Sequence, residues 1–245
     1  MKTLKLAILA LALLAAPALG TTVAVTGTGQ GTAVAVTGTG QNWSLNYNGI
    51  VDVNGTPTVV QGLSAQVDFT VTGLAYDSAA NVTLLTMDMV IANTSDSSIW
   101  QFAQVGGIAF DTDPNAMKMG SGASGAFGYI ALNQLLPGST GFGVEICASG
   151  YRNRCDGNYL YGVKIGATGT ATVQLSFAGD VTGRAINLSA FAVRWSDLVS
   201  GQYGFMLPTT GDGYGVPVIP EPASAAVFGV GALLVAAAIR RKRAK

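Results

Sequence analysis

The sequence predicts an all-β protein, an antiparallel β-sandwich of about nine short strands followed by a single C-terminal transmembrane helix. Three features of the chain lead to this prediction. Apolar and polar residues alternate over short stretches, turn-forming Gly, Asn, Asp and Ser separate these stretches, and long apolar runs occur only at the two ends. Strict alternation is typical of a strand with one buried and one hydrated face.

The strand with the clearest alternation is Leu63–Thr72, whose apolar residues are predicted to face the core. Residues 173–177 repeat this pattern, whereas residues 188–195 are apolar on both faces, which predicts a central strand. The other predicted strands are Trp43–Val53, Asn81–Ala92, Val105–Phe110, Ala126–Leu132, Phe142–Ala148 and Leu160–Ile165.

A direct repeat of eleven residues precedes the sandwich body, which we place at residues 43–215. The two copies, TTVAVTGTGQG and TAVAVTGTGQN, occupy residues 21–42, and each predicts a short strand closed by a Gly-Thr-Gly turn. Two copies are too few for a solenoid, so we interpret residues 21–42 as edge strands or a lead-in.

Residues 1–20 have the pattern of a secretory signal peptide. Lys2 and Lys5 precede an apolar stretch at residues 6–16, and Ala18 and Gly20 are small residues suited to the positions before a cut. We therefore expect signal peptidase to cleave after Gly20, with cleavage after Ala18 as the alternative. This segment predicts export across the inner membrane.

The C-terminus predicts a membrane anchor. A Pro-rich linker at residues 216–222 precedes an uncharged apolar run at 223–239 and a basic tail at 240–245. A helix over the 17 residues of this run would be about 25 Å long, which is enough for a thin bilayer. The positive-inside rule keeps the basic tail in the cytoplasm and the body outside.

The parts of this C-terminus together resemble the PEP-CTERM sorting signal. They are the triplet Pro220, Glu221 and Pro222, the short apolar run, and the basic residues Arg240, Arg241, Lys242 and Arg243. The resemblance implies an exported bacterial protein that is processed by exosortase, a membrane-embedded cysteine transpeptidase. The protein would lie in the membrane before processing, and at the cell surface or in the extracellular matrix afterwards. An ordinary tail anchor is the alternative, although it needs no Pro-Glu-Pro.

The body is acidic once these two ends are set aside. Six of the 13 basic residues and twelve of the 13 acidic residues lie in residues 21–220, which leaves a net charge of −6. This charge argues against nucleic acid as a partner, because phosphates require clustered positive charge. It also argues against adsorption to an anionic lipid surface.

A second resemblance covers most of the body. Its ordered motifs are Ile91-Ala92-Asn93-Thr94-Ser95, GIAFDTDPN at residues 107–115, the pair Cys147 and Cys155, and Phe191-Ala192-Val193-Arg194-Trp195. They resemble the cistern family of PEP-CTERM proteins, a group named by sequence and lacking a defined biochemical role. That family often continues with Gln-Ser-Ile, where this chain has Ser196-Asp197-Leu198. The resemblance implies a secreted body of one domain and supplies no catalytic residues.

The composition excludes most common catalytic sites. The chain has no histidine, which removes Ser-His-Asp and Cys-His catalysis and the zinc-hydrolase ligand sets. The two lysines of the body, Lys118 and Lys164, lie in no Ser-x-x-Lys arrangement, and Glu145 is its only glutamate. We therefore expect no enzyme, no catalytic residue and no bound cofactor. A pair of aspartates is the remaining enzymatic alternative.

Three short motifs have alternative interpretations. Cys147 and Cys155 enclose seven residues, and in an oxidising exterior this spacing favours a disulfide over a two-thiolate metal site or a redox pair. Asp111, Asp113 and Asn115 match the first three ligand positions of a calcium loop, but Ala116 and Gly122 stand where an EF-hand needs Gly and Glu. We interpret this segment as a turn around Pro114, with a looser calcium site as the alternative. Gly120, Gly122 and Gly125 predict a glycine-rich turn rather than a dinucleotide-binding loop, because no helix is predicted after them.

Aromatic residues could form a carbohydrate-binding platform, since flat rings suit sugar faces. The candidates are Trp43, Trp100, Trp195, Tyr151, Tyr159, Tyr161, Tyr203 and Tyr214. We expect Trp195 to pack in the core and Trp100 to be partly exposed.

These observations predict an exported, non-enzymatic protein of the bacterial surface or extracellular matrix. Its expected partners are signal peptidase, exosortase and exopolysaccharide. The alternative function is a carbohydrate- or calcium-binding extracellular module.

Overall fold

A computed structural model describes residues 20–53, 56–136, 143–150, 155, 162–200 and 213–218. The described residues form 13 β-strands and one short 3₁₀ turn at Gly29–Gly31. The strands are β1 (Thr21–Thr22), β2 (Ala33–Val36), β3 (Gln41–Val53), β4 (Thr56–Asp77), β5 (Val82–Asn93), β6 (Trp100–Asp113), β7 (Met117–Gly125), β8 (Tyr129–Leu135), β9 (Gly143–Ser149), β10 (Val163–Lys164), β11 (Thr168–Ala178), β12 (Ile186–Ser200) and β13 (Gly213–Val218).

All 13 strands belong to one continuous hydrogen-bonded sheet, in the order β7-β11-β5-β4-β3-β13-β12-β6-β9-β8. The short strands β1, β2 and β10 pair with β3, β12 and β6 beside this path. Every pairing except that of β1 with β3 is antiparallel. The prediction of an all-β, antiparallel body is confirmed.

The sheet curls so that its two halves face each other across the core. Phe69 in β4 and Phe191 in β12 have ring centroids 5.7 Å apart, although β3 and β13 lie between these strands in the sheet. In a flat sheet, strands three places apart would be separated by about 14 Å. Trp43 stacks on Phe69 with ring centroids 5.0 Å apart, and the ring centroids of Phe110 in β6 and Phe191 are 5.7 Å apart. The predicted sandwich had two separate sheets, whereas here a continuous ladder through β13 joins the two facing halves.

The predicted orientation of the clearest strands is confirmed. The alternating apolar residues of β4, from Leu63 to Val71, are at most 2% exposed, and Val173, Leu175 and Phe177 of β11 are fully buried. Strand β12 is central, as its two apolar faces predicted. Along one edge it pairs with β6, and along the other with β2 and β13.

A second, smaller apolar cluster lies apart from the main core. It includes Ala109 of β6, Ala192 of β12 and Tyr214 of β13, together with both cysteines. Cys147 and Cys155 lie at disulfide distance, with their Sγ atoms 2.00 Å and their Cα atoms 5.6 Å apart. The sequence predicted that this pair closes a polar loop, and the structure shows that both cysteines are buried.

Two segments differ from their predicted structure. Strand β13 extends to Val218 and pairs with β3 and β12, so the sheet includes residues 216–218 of the predicted linker. Residues 120–125, predicted as a glycine-rich turn, lie in strand β7, which pairs with β11. Glycine has low strand propensity, but pairing with an existing strand outweighs a weak local preference.

No helix among the described residues is long and apolar enough to cross a membrane. The predicted transmembrane segment 223–239 and the basic tail 240–245 lie outside the described residues, as does the signal peptide up to residue 19.

Candidate functional site

An open cleft of about 480 Å³ lies where the end of β6 meets β8 and β9. Six of its nine lining residues have polar side chains, and the full lining is Asp111, Thr112, Asn115, Asn133, Gln134, Leu135, Gly143, Val144 and Glu145. The ladder places these segments together, because β9 pairs with β6 on one side and with β8 on the other. Clefts of this volume are typical of small-molecule sites.

Glu145 holds one wall of the cleft. One of its carboxylate oxygens accepts hydrogen bonds from the Thr112 N–H and hydroxyl, both at 2.8 Å, and the other accepts from the Ala116 N–H at 2.6 Å. The side chain is half-buried in β9 and spans the turn from Thr112 to Ala116. Its charge therefore serves to hold this turn against the sheet.

Asp111 adds a reciprocal contact from β6. One of its carboxylate oxygens accepts a hydrogen bond from the Glu145 N–H at 2.6 Å. Its other oxygen has no hydrogen-bond partner among the described residues and can accept one from a ligand in the cleft.

The three calcium candidates are only partly brought together. Asp111 and Asn115 line the cleft, whereas Asp113 does not and lies exposed at the end of β6, in register with Asn187 of β12. Within the described ranges, no three Asp, Glu, Cys or His side chains are grouped so that they could hold a metal ion. The intervening Pro114 lies in a bend between β6 and β7, as the predicted turn requires, and follows a cis peptide bond.

The opposite wall of the cleft is formed by β8. Asn133 is exposed and has a left-handed backbone with φ +52°, which is uncommon for a residue other than glycine. Gln134 donates from its amide nitrogen to the Leu132 carbonyl at 2.8 Å, which leaves its amide oxygen available. The Leu135 side chain is 67% exposed beside these two amides.

A partly buried polar group lies between β6 and β12, away from the cleft. The Gln104 amide donates to the Asp197 carboxylate at 3.0 Å, and Arg194 of the same strand is 2% exposed. Burial raises the pKa of Asp197, while the positive charge of Arg194 and the bond from Gln104 lower it in part. The hydrogen bond from Gln104 to Asp197 joins β6 to β12 within the sheet, which is a structural role.

The four aromatic candidates that the structure describes do not form an exposed platform. Trp43, Trp100, Trp195 and Tyr214 are each at most 4% exposed. The expectation that Trp195 packs in the core is confirmed, and the expectation that Trp100 is partly exposed is wrong. Its indole N–H donates to the Gln61 carbonyl at 3.0 Å, so the side chain is tied to β4. The other four tyrosines, at 151, 159, 161 and 203, lie outside the described residues.

One of the ordered motifs of the body, residues 91–95, contains a structural anchor. Asn93 is buried, and its amide donates to the Ala103 and Val163 carbonyls at 3.0 and 2.9 Å. Its amide oxygen accepts from the Ser95 N–H. This side chain joins the end of β5 to β6 and β10, which is a role in folding.

The sorting and processing residues cannot be placed in the same way. Pro220, Glu221, Pro222, the basic residues 240–243 and Ala18 lie outside the described residues. Gly20, the residue before the expected signal-peptidase cut, is the first described residue and is exposed. Comparisons of the chain with protein-family models, curated proteins and solved structures find no match.

Sequence reasoning missed the residues of β8 and the role of Glu145. A signal was present for Glu145, because it is the only glutamate of the body and lies in a strand next to buried residues. Asn133 and Gln134 carried no such signal, since Asn and Gln are common throughout this chain and only the ladder places these two beside Asp111.

Proposed function

We propose that this chain is an exported, non-enzymatic protein of the bacterial surface or extracellular matrix, delivered and processed through its C-terminal tail. The observation that carries the proposal is the order Pro220-Glu221-Pro222, apolar run, basic tail, at the opposite end from a signal peptide. Signal peptidase acts first, and exosortase then recognises the tail at the outer side of the membrane. The body is all-β and almost entirely antiparallel, a fold class compatible with a secreted protein.

Physical chemistry supports this division of roles between the C-terminal tail, which directs sorting, and the body. Each proline lacks an N–H and disfavours helix in the residue before it, so Pro220-Glu221-Pro222 is suited to an extended segment accessible to a protease. The basic tail is retained on the cytoplasmic side, which holds the triplet close to the outer face of the inner membrane. The absence of histidine from the sequence supports a non-enzymatic body.

Processing is tested by intact-mass analysis of extracellular protein from a wild-type strain and from a strain lacking exosortase. We expect the wild-type material to lack Arg240–Lys245 and the protein of the deletion strain to keep them and stay in the membrane. An ordinary tail anchor would keep the complete tail in both strains, and this result would refute the proposal.

A fusion separates the contribution of the tail from that of the body. Because β13 ends at Val218, residues 219–245 are attached to an unrelated secreted domain, and the same processing is expected. The matched control replaces Pro220, Glu221 and Pro222 with alanine and should be exported without being cut. If the unaltered fusion is exported without being cut, the body carries part of the signal.

A further inference from the structure

We propose that the cleft between β6, β8 and β9 is a binding site for a neutral saccharide. The proposal goes beyond sorting, because it assigns a ligand class to a specific place on the body. It rests on the polar groups that the fold leaves available there, on one apolar side chain and on the charge of the lining.

The cleft presents unused hydrogen-bonding groups of the type that sugar hydroxyls require. The side-chain amides of Asn115 and Asn133 are exposed and have no hydrogen-bond partner among the described residues. Gln134 retains its amide oxygen and Asp111 retains one carboxylate oxygen, because their other polar atoms bind within the fold. An amide offers both donors and acceptors, and each sugar hydroxyl can be either.

The shape and apolar content of the cleft agree with this ligand. Leu135 exposes 67% of its surface beside the amides, which provides an apolar contact for the C–H face of a sugar ring. Gly143 lies in the lining, and the nearest atoms to a Cβ added there are 3.8 Å away, on Leu135. An added Cβ would therefore make an ordinary van der Waals contact without a clash, and because Gly143 lines the cleft, a larger side chain there would take up part of the cleft volume.

The charge of the lining selects neutral saccharides over acidic ones. Asp111 and Glu145 are the charged residues of the cleft, and both are carboxylates. A uronate carboxylate placed about 4 Å from one of them in water would be repelled by about 1 kcal/mol, or about fivefold in affinity.

Asn133 is the most informative residue for a test. Its left-handed backbone is a conformation that glycine adopts at lower steric cost, so nothing in the local structure requires an amide at this position. Asn81, in the turn between β4 and β5, has nearly the same φ, +53° against +52°, and is also exposed. Asn81 does not line the cleft, and its amide oxygen accepts a hydrogen bond from the Tyr76 hydroxyl at 2.8 Å. N81G therefore controls for the backbone change and removes a side-chain contact outside the cleft.

The experiment measures saccharide binding to the full chain, purified in a detergent without sugar head groups, by isothermal titration calorimetry. The probes are cellotetraose, maltotetraose and an oligouronate of the same length. We expect saturable binding of at least one neutral tetrasaccharide and about fivefold weaker binding of the oligouronate. N133G should weaken binding of the neutral probe about three- to tenfold, because it removes one or two hydrogen bonds. N81G should leave it unchanged.

A second variant keeps the proposal testable without any change at Asn133. Gly143→Val fills the cleft and should abolish binding while the thermal unfolding midpoint stays close to that of the wild type. The proposal is overturned if neither neutral tetrasaccharide binds saturably, if the Gly143→Val protein binds as well as the wild type, or if N81G and N133G weaken binding equally. Loss of binding on addition of EDTA would also overturn it, since the ligand would then be held through calcium. Processing of the tail is measured independently, so none of these results bears on the sorting proposal.

Discussion

Replacing Glu145 with glutamine should destabilise the body substantially, although the change is nearly isosteric. The carboxylate accepts three hydrogen bonds, two from Thr112 and one from Ala116. Glutamine keeps one acceptor oxygen, which can serve the Ala116 N–H. Its amide nitrogen is a donor and would face the Thr112 N–H, which would then lose its partner.

The size of the effect follows from these three bonds. Hydrogen bonds to a charged group contribute about 1.5–3 kcal/mol each, against about 0.5–1.5 kcal/mol for neutral ones. Glu145→Gln removes one charged bond outright and makes the remaining bonds neutral, while the Thr112 hydroxyl can turn to accept from the new amide. Because Glu145 is half-buried, water replaces part of the loss. We expect the free energy of unfolding to fall by about 2–3 kcal/mol.

The assay is urea unfolding followed by tryptophan fluorescence, which is suitable because Trp43, Trp100 and Trp195 are buried in the core. A loss of this size should lower the urea midpoint by about 1 M with little change in the m-value. The matched control is Asp113→Asn, an exposed carboxylate at the end of β6 that should change stability by less than about 0.5 kcal/mol. The reasoning is refuted if the Glu145 variant unfolds within 0.5 kcal/mol of the control, a margin set by ordinary surface substitutions at about that size.

Two further predictions concern the cysteines and a partly buried carboxyl group. Cys147→Ser should lower the free energy of unfolding by about 2–3 kcal/mol, the loop-closure contribution of a short disulfide loop, and peptide mapping without reductant should find the wild-type cysteines linked. Recovery of both cysteines as alkylated thiols without reductant would contradict this pairing. Asp197 has a pKa that burial raises, so its contribution to stability is present below the ordinary pKa of an aspartate and is lost as the pH rises through the raised value. The free energy of unfolding of Asp197→Asn, relative to that of the wild type, should therefore increase from about pH 3 to about pH 7 in urea unfolding. If the difference between the two proteins is the same at both pH values, the linkage is absent.

Alternation was sufficient to predict which residues of β4 and β11 face the core. A strand repeats every two residues, so a one-residue error in orientation would expose every apolar side chain of Leu63–Val71. The same argument predicted that β12 is central, because a strand that is apolar on both faces must be covered on both faces. These predictions needed only local sequence.

The edges and connections of the sheet could not be predicted in this way. Strand β13 contains glycine and proline, and the sequence suggested a linker there, but β3 and β12 offer free edges on both sides of it. Gly215 fits because a side chain at that position would collide with the Trp195 ring, a contact between residues distant in the sequence. Strand β7 also contains glycines, and it forms because it pairs with β11, which is distant in the sequence.

The sequence by itself determined the all-β class and the inward faces of the main strands, and it is the sole basis for predicting export and sorting signals at the two ends. Each of these depends on residues close together in the chain, whose pattern sets periodicity, hydropathy and charge. Only the tertiary structure decided which polar residues meet in a cleft, because Asp111, Asn133 and Glu145 come from three strands that pair across the sheet. Register between distant strands is set by the packing of the whole core, and it cannot be predicted from composition alone.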